Sequence, residues 1–159
     1  MDLETLALAV DDLVRLPAAE RRSGRLFAVR CASGTAGDSA NALVLELLAE
    51  GEARTLPQEV RPPAGVQAIA LASGVWVAPM DDRPGLRPSQ HPKRRRAHVT
   101  NLVACEGDRA AVDVTVLRYG DGAPMVTRGG VGLVQERMVR CWLRRPDARL
   151  ASKRSGSAA

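Results

Sequence analysis

Across residues 3–16 the apolar positions Leu3, Leu6, Val10, Leu13 and Val14 recur at steps that return successive side chains to one face of a helix. The pattern predicts a first helix, with Asp2 placed to accept from an unpaired first-turn amide and Pro17 closing it. Leu26, Phe27 and Val29 then suggest a short strand over residues 25–31, and the small, polar run 33–38 suggests a turn. Leu43, Val44, Leu47 and Leu48 fit helical spacing again, which predicts a second helix capped by Ser39 and ending near Gly51.

Pro57, Pro62 and Pro63 have fixed φ and lack amide hydrogens, so residues 55–65 read as a linker. Three strands are expected next, over 66–77, 97–105 and 110–119, the last two joined as a hairpin. Ile69, Leu71, Val75 and Val77 share one face of the first, while Val112, Val114 and Val116 share one face of the third, opposite Asp113 and Thr115. One sheet face is therefore expected to be buried. After a turn over 119–124, the stripe Val131, Val134, Met138, Cys141 and Trp142 predicts a third helix over about 130–143, ended by Pro146. The small, polar residues 153–159 read as a disordered tail.

These elements give an α+β fold, an antiparallel sheet with helices packed against it. It comprises a three-stranded C-terminal meander and one N-terminal strand, with helices covering one face. A length of 159 residues suits one domain over about 1–150, in which a helical region spans residues 1–54, the linker follows, and a β-meander with helix spans residues 66–145. The order of helix, strand, helix, three strands and helix resembles roadblock/LC7-like domains, which have a strand pair between the first two helices. The resemblance spans residues 3–143 with one clear strand where that family has two. It implies an interaction or scaffold subunit that forms a homodimer through a sheet edge or its last helix.

Aromatic residues make up only 3% of the chain, so Ala, Val and Leu must fill most of the core. Net charge is +5 but segregated: residues 81–98 carry +4 and 137–159 carry +6, against −3 for 1–80 and −2 for 99–136. Such clustering creates local fields that the overall charge conceals. Nearly all basic residues are arginine and Ile69 is the only isoleucine, usage that points to a GC-rich coding sequence and lowers the weight of any single arginine. Cys31, Cys105 and Cys141 are odd in number and far apart, and residues 1–4 are acidic rather than basic; free thiols and a cytoplasmic location are expected, with no membrane partner.

The candidate chemistry centres on the segment 83–96, which holds Arg87, His91, Lys93, Arg94, Arg95 and Arg96 and links two strands. It is longer than the two to five residues usual for a hairpin. Three prolines stiffen it, so its guanidinium groups are presented in a partly ordered way to an anionic partner, either nucleic acid or an acidic protein surface. The alternative is a solvated connection whose charges protect a sheet edge. No aromatic residue interleaves with these charges, which counts against single-strand stacking. Ser73-Gly74 followed by Ala78-Pro79, together with residues 87–96, is also similar to small uncharacterised proteins of high-GC actinobacteria; that resemblance covers residues 68–142 and implies a bacterial origin but no activity.

Arg137, Arg140 and Arg144 are spaced at three and four residues, on adjacent parts of one helical face, and form a second candidate anion surface. The glycine run 129–132 lacks the spacing of a nucleotide loop, and residues 37–41 lack the second glycine of a serine nucleophile turn. His91 and His98 have no partner spacing that marks a general base, and no close Cys or His pair marks a metal ion. The reading is a non-enzymatic binding or regulatory protein with no catalytic residue, metal or cofactor.

Overall fold

The computed structural model describes residues 2–15, 23–32, 42–80, 85–107, 110–130 and 132–148. The turn at 33–38, the Ser39 cap, Pro17, Asp81 to Pro84 and the tail 153–159 lie outside the described residues. Helix α1 (Leu3–Val14) starts as the sequence indicates, with Asp2 Oδ1 accepting the Thr5 amide at 2.8 Å. Then come strands β1 (Gly24–Ala32) and β2 (Ala42–Gly51), a one-turn helix α2 (Leu56–Glu59), strands β3 (Ala68–Val77), β4 (Arg95–Cys105), β5 (Ala111–Arg118) and β6 (Met125–Arg128), and helix α3 (Leu133–Leu143). The strands form one open antiparallel sheet in the order β2-β1-β3-β4-β5-β6, which with three helices makes an α+β fold. No helix among the described residues is long and apolar enough to cross a membrane.

The expected second helix is a strand. Residues 43–48 satisfy a helical stripe, but Leu43, Leu45 and Leu47 also satisfy a two-residue period, and those three pair with Cys31, Val29 and Phe27 of β1. Ladder formation with β1 outweighs the helical preference of Leu, Glu and Ala, which amounts to only a few tenths of a kcal/mol per residue. The 55–65 segment also holds more structure than a linker. Pro57 occupies the first turn of α2, where a missing amide hydrogen costs nothing, and Leu56 and Pro57 are buried. Strand β6 occupies the stretch between the expected turn over 119–124 and the third helix, to which the sequence pattern assigns no element, and α3 starts at Leu133 rather than near 130.

Helices cover both faces of the sheet, not one. Leu6, Ala7, Val10 and Val14 of α1 pack on Ala68, Ala70, Ala72, Leu102, Ala104, Val114 and Val116. On the opposite face Leu56 and the α3 residues Met138, Cys141 and Trp142 pack on Leu26, Ala28, Ile69, Leu71 and Val103. The alternation of β3 is between small and large residues rather than polar and apolar ones. Its alanines form a flat floor that lets α1 approach closely.

One polar cluster lies inside the α1 interface. Asp11 is fully buried; its Oδ1 accepts the Thr100 hydroxyl at 2.8 Å and lies 3.3 Å from His98 Nε2, while its Oδ2 accepts Arg118 Nε at 3.1 Å. Arg118 also donates to the Gly122 carbonyl at 3.1 Å, and His98 Nδ1 has no hydrogen-bond partner among the described residues. Burial alone raises the Asp11 carboxyl, but hydrogen bonds from His98, Thr100 and Arg118, aided by the His98 charge, together hold it below its ordinary value of 3.8. The cluster ties α1 to β4 and β5 and is closed to solvent.

A lowered carboxylate pKa adds stability that is complete above the ordinary value and fades as pH falls through the folded one. Unfolding free energy in urea should therefore lose the Asp11 contribution below about pH 3.8. Asp11→Ala should cost about 1–3 kcal/mol at neutral pH, because it removes the acceptor of the buried Thr100 hydroxyl and leaves the Arg118 guanidinium only the exposed Asp12 carboxylate at 3.4 Å and the Gly122 carbonyl. A loss under about 1 kcal/mol would show that the Asp11 cluster does not help to hold α1 on the sheet.

Candidate functional site

The connection between β3 and β4 is ordered where it is described. Gly85 adopts a φ of +91°, open to glycine and strained for other residues, and admits the chain to a 3-10 turn at Pro88–Gln90. The Gln90 amide donates to the Arg87 carbonyl at 2.9 Å, and the Arg87 amide donates to Gln90 Oε1 at 3.2 Å. His91 anchors the end of the turn. It is 4% exposed, its Nδ1 accepts the Lys93 amide at 3.0 Å, and its carbonyl accepts both the backbone amide and Nη1 of Arg94 at 3.2 Å. His91 is thus an organiser of the loop, while Arg87, Lys93, Arg94 and Arg95 are exposed and Arg96 is half-buried.

The β3–β4 register decides what those arginines meet. Trp76 lies opposite Arg96 and Val77 opposite Arg95. Thr100 reaches Asp11 of α1, so alternation along β4 turns Arg96 toward the α1 face and Arg95 toward the α3 face. On the α1 face the guanidinium carbons of Arg96 and Arg94 stand 4.7 and 5.0 Å from the centre of the Trp76 ring. On the other, Arg95 stands 4.3 Å from the ring of Tyr119, which follows Arg118 at the end of β5. All three contacts fall within cation–π range. No aromatic residue interleaves with the basic run along the chain; the rings beside it come from residues outside the segment, Trp76 of β3 and Tyr119 after β5.

Trp76 keeps 38% of its surface exposed, whereas Trp142 is fully buried. Among the described residues no carboxylate lies within ion-pair distance of Arg87, Lys93, Arg94, Arg95 or Arg96. A guanidinium held over a ring retains N–H groups that match the paired oxygens of phosphate or carboxylate. The end of the sheet therefore presents oriented cations flanked by aromatic surface.

The α3 arginines are placed differently. Arg137 donates to the Arg54 carbonyl, Arg144 to the Pro57 carbonyl and, at 2.8 Å, to that of Gln58, and Arg140 pairs with Glu136 at 2.6 Å. With Gln58 and Leu143 they line an open cavity of about 400 Å³. Two of the three guanidiniums thus satisfy backbone carbonyls at and beside α2, which packs over β1 and β2. Next to them Arg145 donates to the Val66 carbonyl at 3.0 Å and lies 3.7 Å from Cys105 Sγ. Arg95 and Cys105 mark opposite ends of the 11-residue strand β4, a span of roughly 33 Å. Arg94 to Arg96 and the C-terminal end of α3 consequently belong to different ends of the sheet.

Searches for a matching family model, a related curated protein and a similar solved structure each return no match.

A double-mutant cycle with Trp76→Ala and Arg96→Ala should give a coupling of about 0.5–1 kcal/mol in urea unfolding, the size expected of an exposed cation–π pair. Arg94 adds to the same ring. Zero coupling for both arginines would mean that Trp76 does not order them.

Proposed function

We propose that this is a non-enzymatic binding or regulatory protein that presents Arg94, Arg95 and Arg96, together with Trp76 and Tyr119, to a nucleic-acid strand. One observation carries the reading: three exposed or half-buried guanidiniums, unpaired with carboxylate among the described residues, lie over two aromatic rings at one end of the sheet. Proteins that hold single strands combine backbone-tracking cations with ring faces for bases, and stacking contributes about 1–3 kcal/mol per base. An acidic protein surface uses the cations but has less use for the rings, so it is the weaker match. Arg87 and Lys93 extend the positive surface along the loop, and His91 sets its shape.

Each Arg–ring contact here is weak enough, at about 0.5–1 kcal/mol, for an incoming base or phosphate to rearrange it. The proposed recognition is through backbone phosphates and ring faces, without base-edge readout.

Fluorescence anisotropy with a labelled single-stranded oligonucleotide over a salt series tests this directly. Affinity should fall as salt rises, and each of Arg94→Ala, Arg95→Ala and Arg96→Ala should lower the magnitude of the salt slope by about 1. Trp76→Ala should weaken binding by about 1–3 kcal/mol while leaving that slope unchanged. Salt-sensitive binding to a polyglutamate peptide without binding to the oligonucleotide would assign the patch to an acidic protein instead. Binding to neither removes the proposal.

A further inference from the structure

The two edges of the sheet are unequal. Strand β6 is four residues long and carries Arg128, which pairs with Glu106 at 2.8 Å and approaches Glu4 at 4.0 Å. Short length and charge are the usual protection of an edge. Strand β2 is ten residues long, has neither proline nor lysine, and pairs only with β1 among the described residues. Its two charges are already matched inside the chain, Glu50 with Arg25 at 2.9 Å and Glu46 with Arg30 at 3.8 Å. Val44 and Leu47 remain 48% and 49% exposed. The outer amides and carbonyls of such an edge form a template for another strand.

We propose that β2 pairs antiparallel with β2 of a second copy of this chain, about a two-fold axis at Leu45. Three features select a second copy. A two-fold interface requires a surface complementary to itself, and a two-fold axis normal to the sheet at Leu45 places Leu45 opposite Leu45, Leu43 opposite Leu47 and Val44 opposite Glu46. That arrangement runs leucine against leucine along the whole face that carries Leu43, Leu45 and Leu47.

The second feature is a bulge. The β1–β2 register shifts between Leu26 and Phe27, leaving Leu48 unmatched, so regular β2 pairing runs from Ala42 to Leu47 and Leu45 is one of the two residues at its middle. The third is α1, which packs on β3 to β6 and leaves Phe27, Leu43 and Leu45 only partly buried. Pairing between β2 strands also closes the assembly at two chains, because β6 is too short and too charged to continue the sheet.

Light scattering on the full chain, from micromolar to millimolar concentration, should give twice the chain mass. Leu45→Lys sets like charges opposite each other on the axis and should return the protein to a monomer with an unchanged circular dichroism spectrum. Since Leu45 is half-buried, cross-linking supplies a check that does not depend on that variant. In a Cys31→Ser background, Leu45→Cys should form an intermolecular disulfide on mild oxidation at least ten times faster than Glu46→Cys, because only position 45 faces itself. A native chain that stays monomeric, a mass that grows beyond two chains, or equal cross-linking at the two positions overturns the proposal.

Discussion

The structure depends on the pairing of β3 with β4, ten residues long and buried on both faces through most of its length. Side chains alternate across a sheet, so a slip of one residue moves every side chain of one strand to the wrong face. Here the slip would place Ile69 and Leu71 where α1 needs the alanine floor, and alanines where Trp142 and Met138 need large partners. Burial on both faces therefore locks the register, and the register sets Trp76 beside Arg96. The surface patch inherits its geometry from the register of the core strands.

Two kinds of arginine result. Arg118 is nearly buried, bonded to Asp11 and to the Gly122 carbonyl, and its charge is consumed in fixing α1 to the sheet. Arg144 is likewise committed, to the carbonyls of α2. Arg94, Arg95 and Arg96 rest on rings at the surface, Arg94 donating one further N–H to the His91 carbonyl, and each ring contact contributes about 0.5–1 kcal/mol. A buried charge is too costly to strand, whereas a stacked surface one is free to exchange partners. This difference, more than the number of arginines, distinguishes the candidate site from the rest of the basic surface.

The sheet edges extend the same contrast to assembly. The β3–β4 end carries charge and aromatic surface in its loop, while the β2 edge carries leucine and internally neutralised glutamates. An anionic strand and a second copy of the chain would approach through chemically different surfaces.

Much of the order was legible in the residues: the first helix with its Asp2 cap, β1, the three strands from residue 66 to 119 and the apolar stripe of α3 all follow from period and punctuation. Residues 42–51 were not, because Leu43, Val44, Leu45, Leu47 and Leu48 fit both periods and only the presence of β1 alongside selects the strand. The alanines of β3 carry little signal alone, so burial of the second face was hidden until α1 was seen on it. That arginines gather in a proline-stiffened connection follows from the residues alone, since composition and φ restriction are local properties of the chain. Tertiary structure alone decided that Trp76 and Tyr119 accompany them and that the α3 arginines do not, because strand register and helix docking join residues that no local pattern connects.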